Sequence, residues 1–211
     1  MPTSAPPGNR FERRRAETRQ ALVRAARQVL AETGDTSASI QVIAERADVG
    51  LGSFYNHFES KTELFDVAVT EALEELGQFI DERVRGVEDP AEVVAASFRL
   101  TARMAGSHPE LQQILRDRGL AHIHSERGLA PRALRDLQRG IASGRFTCAN
   151  ATIALSAVGG TLVSLVALRL ARPDLDGDEA ASELAEMVLR MLGVPPADAH
   201  EVTRRPLPGR S

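Results

Sequence analysis

Residues 39–58 read SIQVIAERADVGLGSFYNHF, and the pattern of this stretch decides the fold class. Apolar residues recur at helical spacing over 40–47, which predicts a short helix with Ser39 as its N-cap. Asp48-Val49-Gly50 predicts a turn, and residues 51–58 predict another short helix. Two short helices joined by a tight turn indicate a helix-turn-helix.

The two faces of this segment differ in chemistry. The inner face is predicted to hold the apolar residues, with Phe54 and Phe58 four positions apart as its anchors. Hydroxyl, amide and imidazole groups remain for the outer face, which is typical of a helix that lies in a DNA major groove. These outward residues are Leu51, Ser53, Tyr55, Asn56 and His57.

Residues 50–65, GLGSFYNHFESKTELF, resemble the recognition helix and the following helix start of the TetR family. The motif is Phe54-Tyr55-x-His57-Phe58 followed by Ser60-Lys61, and the likeness covers roughly residues 16–76. The resemblance implies an all-α fold with an N-terminal three-helix DNA-binding domain and a larger C-terminal ligand-binding and dimerisation domain. It further implies a homodimeric repressor that binds a palindromic operator in double-stranded DNA and is released by a small, apolar effector.

The resemblance also implies roles for individual residues. Tyr55, His57 and Lys61 match phosphate contacts, Ser53 matches a backbone or base contact, and Gln41 and Asn56 match positions that read bases. The implied DNA-binding set is Ser39, Gln41, Gly50, Leu51, Gly52, Ser53, Tyr55, Asn56, His57 and Lys61. The chain departs from the family pattern at Gly50-Leu51, where many relatives carry Ser-Lys, and at Val42, where an acidic residue often completes a capping box.

The distribution of charge agrees with DNA binding at one end only. The chain carries a net charge of −3, yet residues 1–28 hold seven arginines against two acidic residues, a local charge of +5 that leaves −8 for the rest. A basic N-terminal segment on an acidic body is expected where only that segment meets phosphate. A solvated helix start would show the same charges, so the charge pattern alone leaves both interpretations open.

Helical periodicity continues along the chain. It predicts a first helix near 11–32, ended by Gly34, and later helices over 130–142, 149–172 and 178–192. Three more helices are predicted to begin at the capping box of Ser60, at Asp89 and at Pro109. The expected organisation is a disordered arm over 1–10, a helix-turn-helix domain over 11–60, a helical sensor and dimerisation domain over 61–193 and a C-terminal tail over 194–211. At most one short turn is expected in that tail.

The 149–172 helix is apolar nearly all round, so it needs burial on more than one face. The resemblance implies that this helix and the next form the dimer interface, with Leu155, Val158, Leu162, Leu165, Val166, Val188 and Leu189 as its residues. A membrane span is the alternative for so apolar a helix. Polar residues such as Asn150, Thr152 and Ser156 dilute the run, and we expect no membrane contact.

A mostly apolar ligand pocket is expected in the larger domain, although each candidate residue could equally be ordinary core. The candidates are Phe79, Phe98, Thr101, Met104, Leu115, Phe146 and Val163. His122 and His124 could bind a metal only with unidentified partners, and a solvent-exposed pair is the simpler interpretation. We expect no metal and no cofactor.

Composition excludes several classes of protein. The lone Cys148 excludes an internal disulfide and favours a cytoplasmic location, and the N-terminus lacks the apolar core of a secretory signal. No nucleophile–base pair or phosphate loop indicates an enzyme. The alternative function is a helical interaction module whose helix-turn-helix no longer binds DNA, which Leu51 and the net acidity would favour.

Overall fold

A computed structural model describes residues 10–33 and 36–209, and within these ranges the regular structure consists of ten α-helices. The helices are α1 Arg10–Thr33, α2 Ile40–Arg46, α3 Leu51–Tyr55, α4 Lys61–Arg83, α5 Pro90–Ser107, α6 Pro109–His122, α7 Leu129–Ala142, α8 Ala151–Ala171, α9 Gly177–Met191 and α10 Pro196–Arg204. The prediction of an all-α fold is confirmed. The arm expected over 1–10 lies outside the described residues except for Arg10, and Gly34, the expected end of the first helix, also lies outside them.

The chain divides into two compact units, residues 1–69 and 70–211. The division falls inside α4, whose first turns belong to the first unit. The sequence places the boundary slightly earlier, at the capping box where α4 begins.

Local hydrogen bonds explain where the helices of the first unit begin. The hydroxyl of Ser39 accepts from the backbone N–H of Val42 at 3.2 Å and caps α2. At the start of α4, Ser60 Oγ accepts from the N–H of Glu63, and the Glu63 carboxylate accepts from the N–H of Glu59. Both predicted caps are therefore confirmed. Between α2 and α3 the backbone passes through Asp48 in the left-handed region, with φ of 55°.

The second unit is built around α5, which packs against α6, α7, α8, α9 and α10. Asp89 caps α5 by accepting from the N–H of Ala91, with Pro90 in the first turn. Asn150 and Asp176 cap α8 and α9 in the same way. Gly140 allows the close approach of Phe146, because a Cβ at position 140 would lie 2.1 Å from that ring.

The C-terminal segment differs from the expected tail, since residues 196–204 form the helix α10. Ala199 and Val202 are buried, and α10 packs against α5 and α9. Asp198 also pairs with Arg145 at 2.5 Å. These contacts are tertiary, and packing rather than propensity stabilises most short helices, which explains why the sequence pattern did not predict α10.

Candidate nucleic-acid interface and internal cavity

The third helix is anchored by one buried ring. Phe54 is fully buried, and its ring centroid lies 5.3 Å from that of Tyr55 in an edge-on arrangement and 6.0 Å from that of Phe58. Phe58 is also buried. Because both phenylalanines point inward, Leu51, Tyr55 and Asn56 are exposed, as the sequence predicted, whereas Ser53 and His57 are half-buried. The helix itself ends at Tyr55, three residues before the predicted end.

The ten predicted DNA-contacting residues lie on α2 and α3, in the residues that directly flank these helices, and at the start of α4, and none of them is buried. Tyr55 is 60% exposed and Leu51 is 50% exposed. A Cβ added at Gly50 or Gly52 would meet no atom within 4 Å, so the backbone there is open to a close partner. Ser53, His57 and Lys61 are half-buried.

Three members of this set already have partners within the chain. The Ser39 hydroxyl is used as the cap of α2. The side-chain amide of Gln41 donates to the Glu45 carboxylate at 3.0 Å, one turn along the same helix. Lys61 Nζ donates to the backbone carbonyl of Ser37 at 3.4 Å, a long contact that leaves the ammonium capacity for a second acceptor.

His57 lies in a positively charged environment. Burial lowers the pKa of its imidazole below the ordinary value of 6.5, and the charges of Arg15 and Arg19 on α1 lower that pKa further. The imidazole is therefore neutral at pH 7. A phosphate group beside His57 would also be attracted by the guanidinium groups of Arg15 and Arg19. These two arginines are therefore candidate site residues.

Sequence reasoning did not assign those two arginines to the site. It recognised the excess of positive charge in residues 1–28, but their proximity to His57 arises only from the packing of α1, α2 and α3. The guanidinium of Arg19 lies over the Phe58 ring, 5.2 Å from its centroid.

A cavity of about 120 Å³, partly open to solvent, lies in the second unit, with walls from α4, α5, α6, α7 and α8. Four predicted pocket residues line it: Phe98, Thr101, Leu115 and Val163. The other three do not. Phe146 is core against Gly140, Phe79 is half-buried beneath the Arg83 guanidinium, and Met104 is half-buried elsewhere on α5.

Of the seven residues predicted for the dimer interface, five are buried within this chain, whereas Val158 and Leu162 are half-buried and stay a prediction. Leu155, Val158 and Leu162 line the cavity. Leu165, Val166, Val188 and Leu189 are buried core residues. The reason is that α8 is apolar on all sides, so its sequence could not show which stripe faces inward.

A different stripe of α8 faces outward. Ile153 is 68% exposed and Leu168 is 42% exposed, and on α9 Met187 is 59% exposed. Gly160 meets nothing within 4 Å of its Cβ position, whereas its neighbour Gly159 faces Ile123 at 3.0 Å on the inside. Among the described residues, α8 is also the one helix long and apolar enough to cross a membrane by length and composition.

The cavity wall carries a few polar groups. Arg135 donates to both carboxylate oxygens of Asp136, at 2.9 and 3.2 Å, yet burial raises the pKa of Asp136. The Ser97 hydroxyl, also in the wall, is a buried atom with no hydrogen-bond partner among the described residues. A ligand here would meet a mostly apolar surface with a few fixed polar partners.

His122 and His124, the two histidines considered as metal ligands, have different surroundings. His122 lines the cavity, whereas His124 Nε2 lies 2.8 Å from the Ser156 hydroxyl. In residues 10–33 and 36–209, no group of three or more His, Cys, Asp or Glu side chains is arranged to hold a metal ion.

Known proteins resemble both parts of the chain. Residues 22–68 match the model of bacterial regulatory proteins of the tetR family, and residues 89–205 match that of the tetracyclin repressor-like C-terminal domain. The HTH-type transcriptional repressor DhaR of Mycobacterium sp. (strain GP1) is 49% identical over 47 residues, which cover 22% of this chain and 24% of DhaR. The match thus spans about a quarter of the length of that curated relative.

Solved structures extend the likeness to nearly the whole chain. RolR in complex with resorcinol is 34% identical, with a TM-score of 0.79 over 94% of this chain and 99% of RolR. RolR without ligand is 33% identical, with a TM-score of 0.76 over 91% of this chain and 100% of RolR. FadR of Bacillus subtilis, solved with stearoyl-CoA, shares the fold at 17% identity, with a TM-score of 0.63 over 81% of this chain and 97% of FadR. With family matches at both ends and a relative of this identity along its length, the chain belongs to the TetR family of transcriptional regulators.

Proposed function

We propose that this TetR-family repressor binds a palindromic operator as a homodimer and leaves it when a small effector occupies the cavity. The observation that carries the proposal is the exposed polar face of α3, held outward by the buried ring of Phe54. Tyr55, Asn56 and Leu51 are exposed together at this face. A duplex major groove accommodates such a helix, and its base edges and methyl groups match those side chains.

Affinity in this proposal comes from phosphate contacts. Tyr55, His57 and Lys61 would hold the backbone, and Arg15 and Arg19 would add positive charge beside His57. Gln41 and Asn56 would read base edges, with Leu51 against a thymine methyl group. Gln41 would have to exchange its bond to Glu45 for a bond to a base.

Dimerisation would use the outward stripes of α8 and α9. One recognition helix contacts few base pairs, so useful affinity requires two half-sites at a fixed spacing. The exposed side chains of Ile153, Leu168 and Met187 give an apolar surface that a second copy would cover, and Gly160 would let the partner helix approach closely. Mutual burial accounts for the exposed apolar face of α8 without a membrane, and we place the protein in the cytoplasm.

The effector would be a small, mostly apolar molecule. RolR, which shares 34% identity and nearly its full length with this chain, was solved with resorcinol, a small hydroxylated aromatic. A cavity of about 120 Å³ with mostly apolar walls suits a molecule of that class. The Asp136 carboxylate could accept from a hydroxyl of the effector, and the Ser97 hydroxyl would gain a partner.

The alternative is an interaction module that has lost DNA binding, and the exposed Leu51 is the observation that favours it. A binding experiment separates the two functions. Fluorescence anisotropy of the gene's own upstream DNA should show saturable binding that survives excess unrelated duplex, and resorcinol added afterwards should release the DNA. The doubly substituted Tyr55→Ala, His57→Ala chain, folded by circular dichroism, should not bind.

Each result has a separate meaning. A folded, dimeric chain that ignores its upstream DNA would support the interaction module. Specific binding that resorcinol and related phenols leave unchanged would retain the repressor and reject this class of effector. Val158→Phe, which places a ring in the cavity wall, should bind the operator but lose the response to effector.

A further inference from the structure

The start of α3 carries a single side chain between two glycines. Leu51 is the first residue of the helix, Gly50 is its N-cap and Gly52 follows it. A Cβ at either glycine would meet no atom within 4 Å, and the Leu51 side chain is 50% exposed. A molecule that approaches this end of α3 therefore meets bare backbone and one aliphatic side chain.

The side chain of Leu51 carries no charge and no hydrogen-bonding group. Its neighbour Gly50 adds no side-chain hydrogen bond at the helix start either. This position therefore cannot hold a phosphate or recognise the donors and acceptors of a base edge through a side chain. An apolar contact remains, and the apolar group that a base pair presents in the major groove is the C5 methyl of thymine.

The exposed face of α3 continues this apolar surface by one turn. Tyr55 lies four positions after Leu51, on the same side of the helix, and is 60% exposed. Phe54 points the other way and is fully buried. The helix thus has one aromatic anchor on its inner face and two large, exposed side chains on its outer face.

Positive charge lies beyond the other end of α3. The pKa of His57, two residues past the helix, is lowered by burial and by the charges of Arg15 and Arg19. The guanidinium of Arg19 lies over the Phe58 ring, 5.2 Å from its centroid. Cations meet phosphate, whereas residues at the start of a recognition helix contact base edges. This separation favours a base contact for Leu51.

We propose that Leu51 reads the C5 methyl group of a pyrimidine in the operator, so that it accepts thymine and 5-methylcytosine alike and disfavours unmethylated cytosine. The inference rests on the proposed function in taking an operator duplex as the partner of α3. Thymine carries an oxygen at C4 and 5-methylcytosine an amino group, but leucine cannot distinguish these groups because it forms no side-chain hydrogen bond. Methylation of a cytosine at that base pair would therefore raise the affinity for a site that the repressor otherwise binds weakly.

Removal of single methyl groups from the DNA tests the inference. Duplexes of the bound upstream sequence, each with deoxyuridine in place of one thymine or 5-methylcytosine in place of one cytosine, are titrated by fluorescence anisotropy. Deoxyuridine lacks the C5 methyl and keeps every hydrogen-bonding group of thymine. We expect one position in each half-site where the methyl group strengthens binding by about threefold to fivefold, as burial of one such group predicts. Leu51→Ala should lose this effect, and Leu51→Met should retain it.

Val42→Ala is the matched control, because Val42 is a 44% exposed aliphatic side chain of α2 outside the predicted DNA-contacting set. It should keep the methyl effect at the position where Leu51→Ala loses it. At that position 5-methylcytosine should bind more tightly than cytosine by the same factor.

A methyl effect of equal size in the wild-type chain and in Leu51→Ala at every position would overturn the inference, as would its loss in Val42→Ala. Specific binding without any methyl effect would overturn this inference alone. A folded chain that binds no specific duplex would fail the proposed function as well, so the two failures are distinguishable.

Discussion

The guanidinium of Arg19, on α1, lies 5.2 Å from the centroid of the Phe58 ring, just beyond α3. The contact places a positive charge of α1 beside the segment that carries His57. The same arginine lowers the pKa of His57. One side chain thus contacts the recognition segment and, after burial and Arg15, contributes to the lowered pKa of a candidate phosphate ligand.

We expect Arg19→Gln to raise the pKa of His57 toward 6.5, although burial, the larger cause, should keep it below that value. NMR titration of the imidazole measures this directly. Arg13→Gln is the control, because Arg13 pairs with Glu17 and is not among the groups that shift His57. A pKa that stays in place in Arg19→Gln would mean that burial and Arg15 account for the whole shift.

Lys61→Ala should weaken binding to every DNA sequence alike and reduce the slope of log affinity against log salt by about one. The physical reason is the release of about one fewer counterion from the duplex. Affinity measured at several salt concentrations gives the slope. Arg172→Ala, which removes an equal charge from an exposed pair with Asp174 in the second unit, should leave the slope unchanged. An unchanged slope in Lys61→Ala would remove Lys61 from the phosphate contacts.

Gln41→Ala and Asn56→Ala should each relax the preference for particular base pairs, by about 1–3 kcal/mol per lost bidentate contact. Binding to unrelated DNA should remain. Competition among operators with single base changes measures both. Glu45→Ala, which frees the Gln41 amide, serves as the control and should keep the preference. A uniform loss of affinity would show that the two amides position the protein and do not read bases.

Met187→Glu should lower the mass in solution toward the 22.8 kDa of one chain, because it places a charge on the outward face proposed for dimerisation. Operator affinity should fall with it while the helical circular dichroism remains. Leu120→Glu, on an exposed apolar position of α6, is the matched control and should stay dimeric. Leu162→Glu should behave differently, since its charge would face the cavity and impair effector binding and stability. A dimeric Met187→Glu would place the interface elsewhere.

Glu74→Gln should destabilise the fold at pH 6 and much less as the pH falls below 4.5. Hydrogen bonds from Arg132 and Gly128 lower the pKa of Glu74 from 4.5 to about 2. The folded state therefore binds this proton more weakly than the unfolded chain. The stabilisation is present above pH 4.5 and is lost as the pH falls toward 2. Urea unfolding at several pH values measures the difference in free energy of unfolding between the wild-type chain and Glu74→Gln, with the exposed Glu82→Gln as control. We expect this difference to shrink as the pH falls. A difference that stays constant would contradict the lowered pKa of Glu74.

Local chemistry explains what could be predicted from the sequence. Ser39, Ser60 and Asp89 mark helix starts through hydrogen bonds to residues two or three positions away, so their roles can be recognised in the sequence. Phe54 and Phe58 are the main apolar residues of the segment 51–58, so the sequence alone shows which face of that segment is buried. The remaining side chains of the segment could therefore be predicted to face outward.

Features that depend on distant contacts were not predictable in the same way. α10 is stabilised by α5 and α9, and Arg15 and Arg19 meet His57 only after α1 packs. In α8, Leu162 and Leu168 are chemically alike, yet one lines the cavity and the other is exposed. No local signal separates them.

The adjacent glycines of α8 lie between the two roles proposed for this helix, recognition of a small molecule and association of subunits. Position 159 faces inward and position 160 faces outward, so in the proposed function a single helix would serve as a wall of the cavity and as the surface offered to a second chain. An engineer who wishes to retune the protein as a biosensor therefore has unequal choices. Changes to α8 would alter ligand preference and assembly together, whereas changes at Phe98, Thr101 or Leu115, on α5 and α6, would reshape the same cavity while leaving the outward face intact.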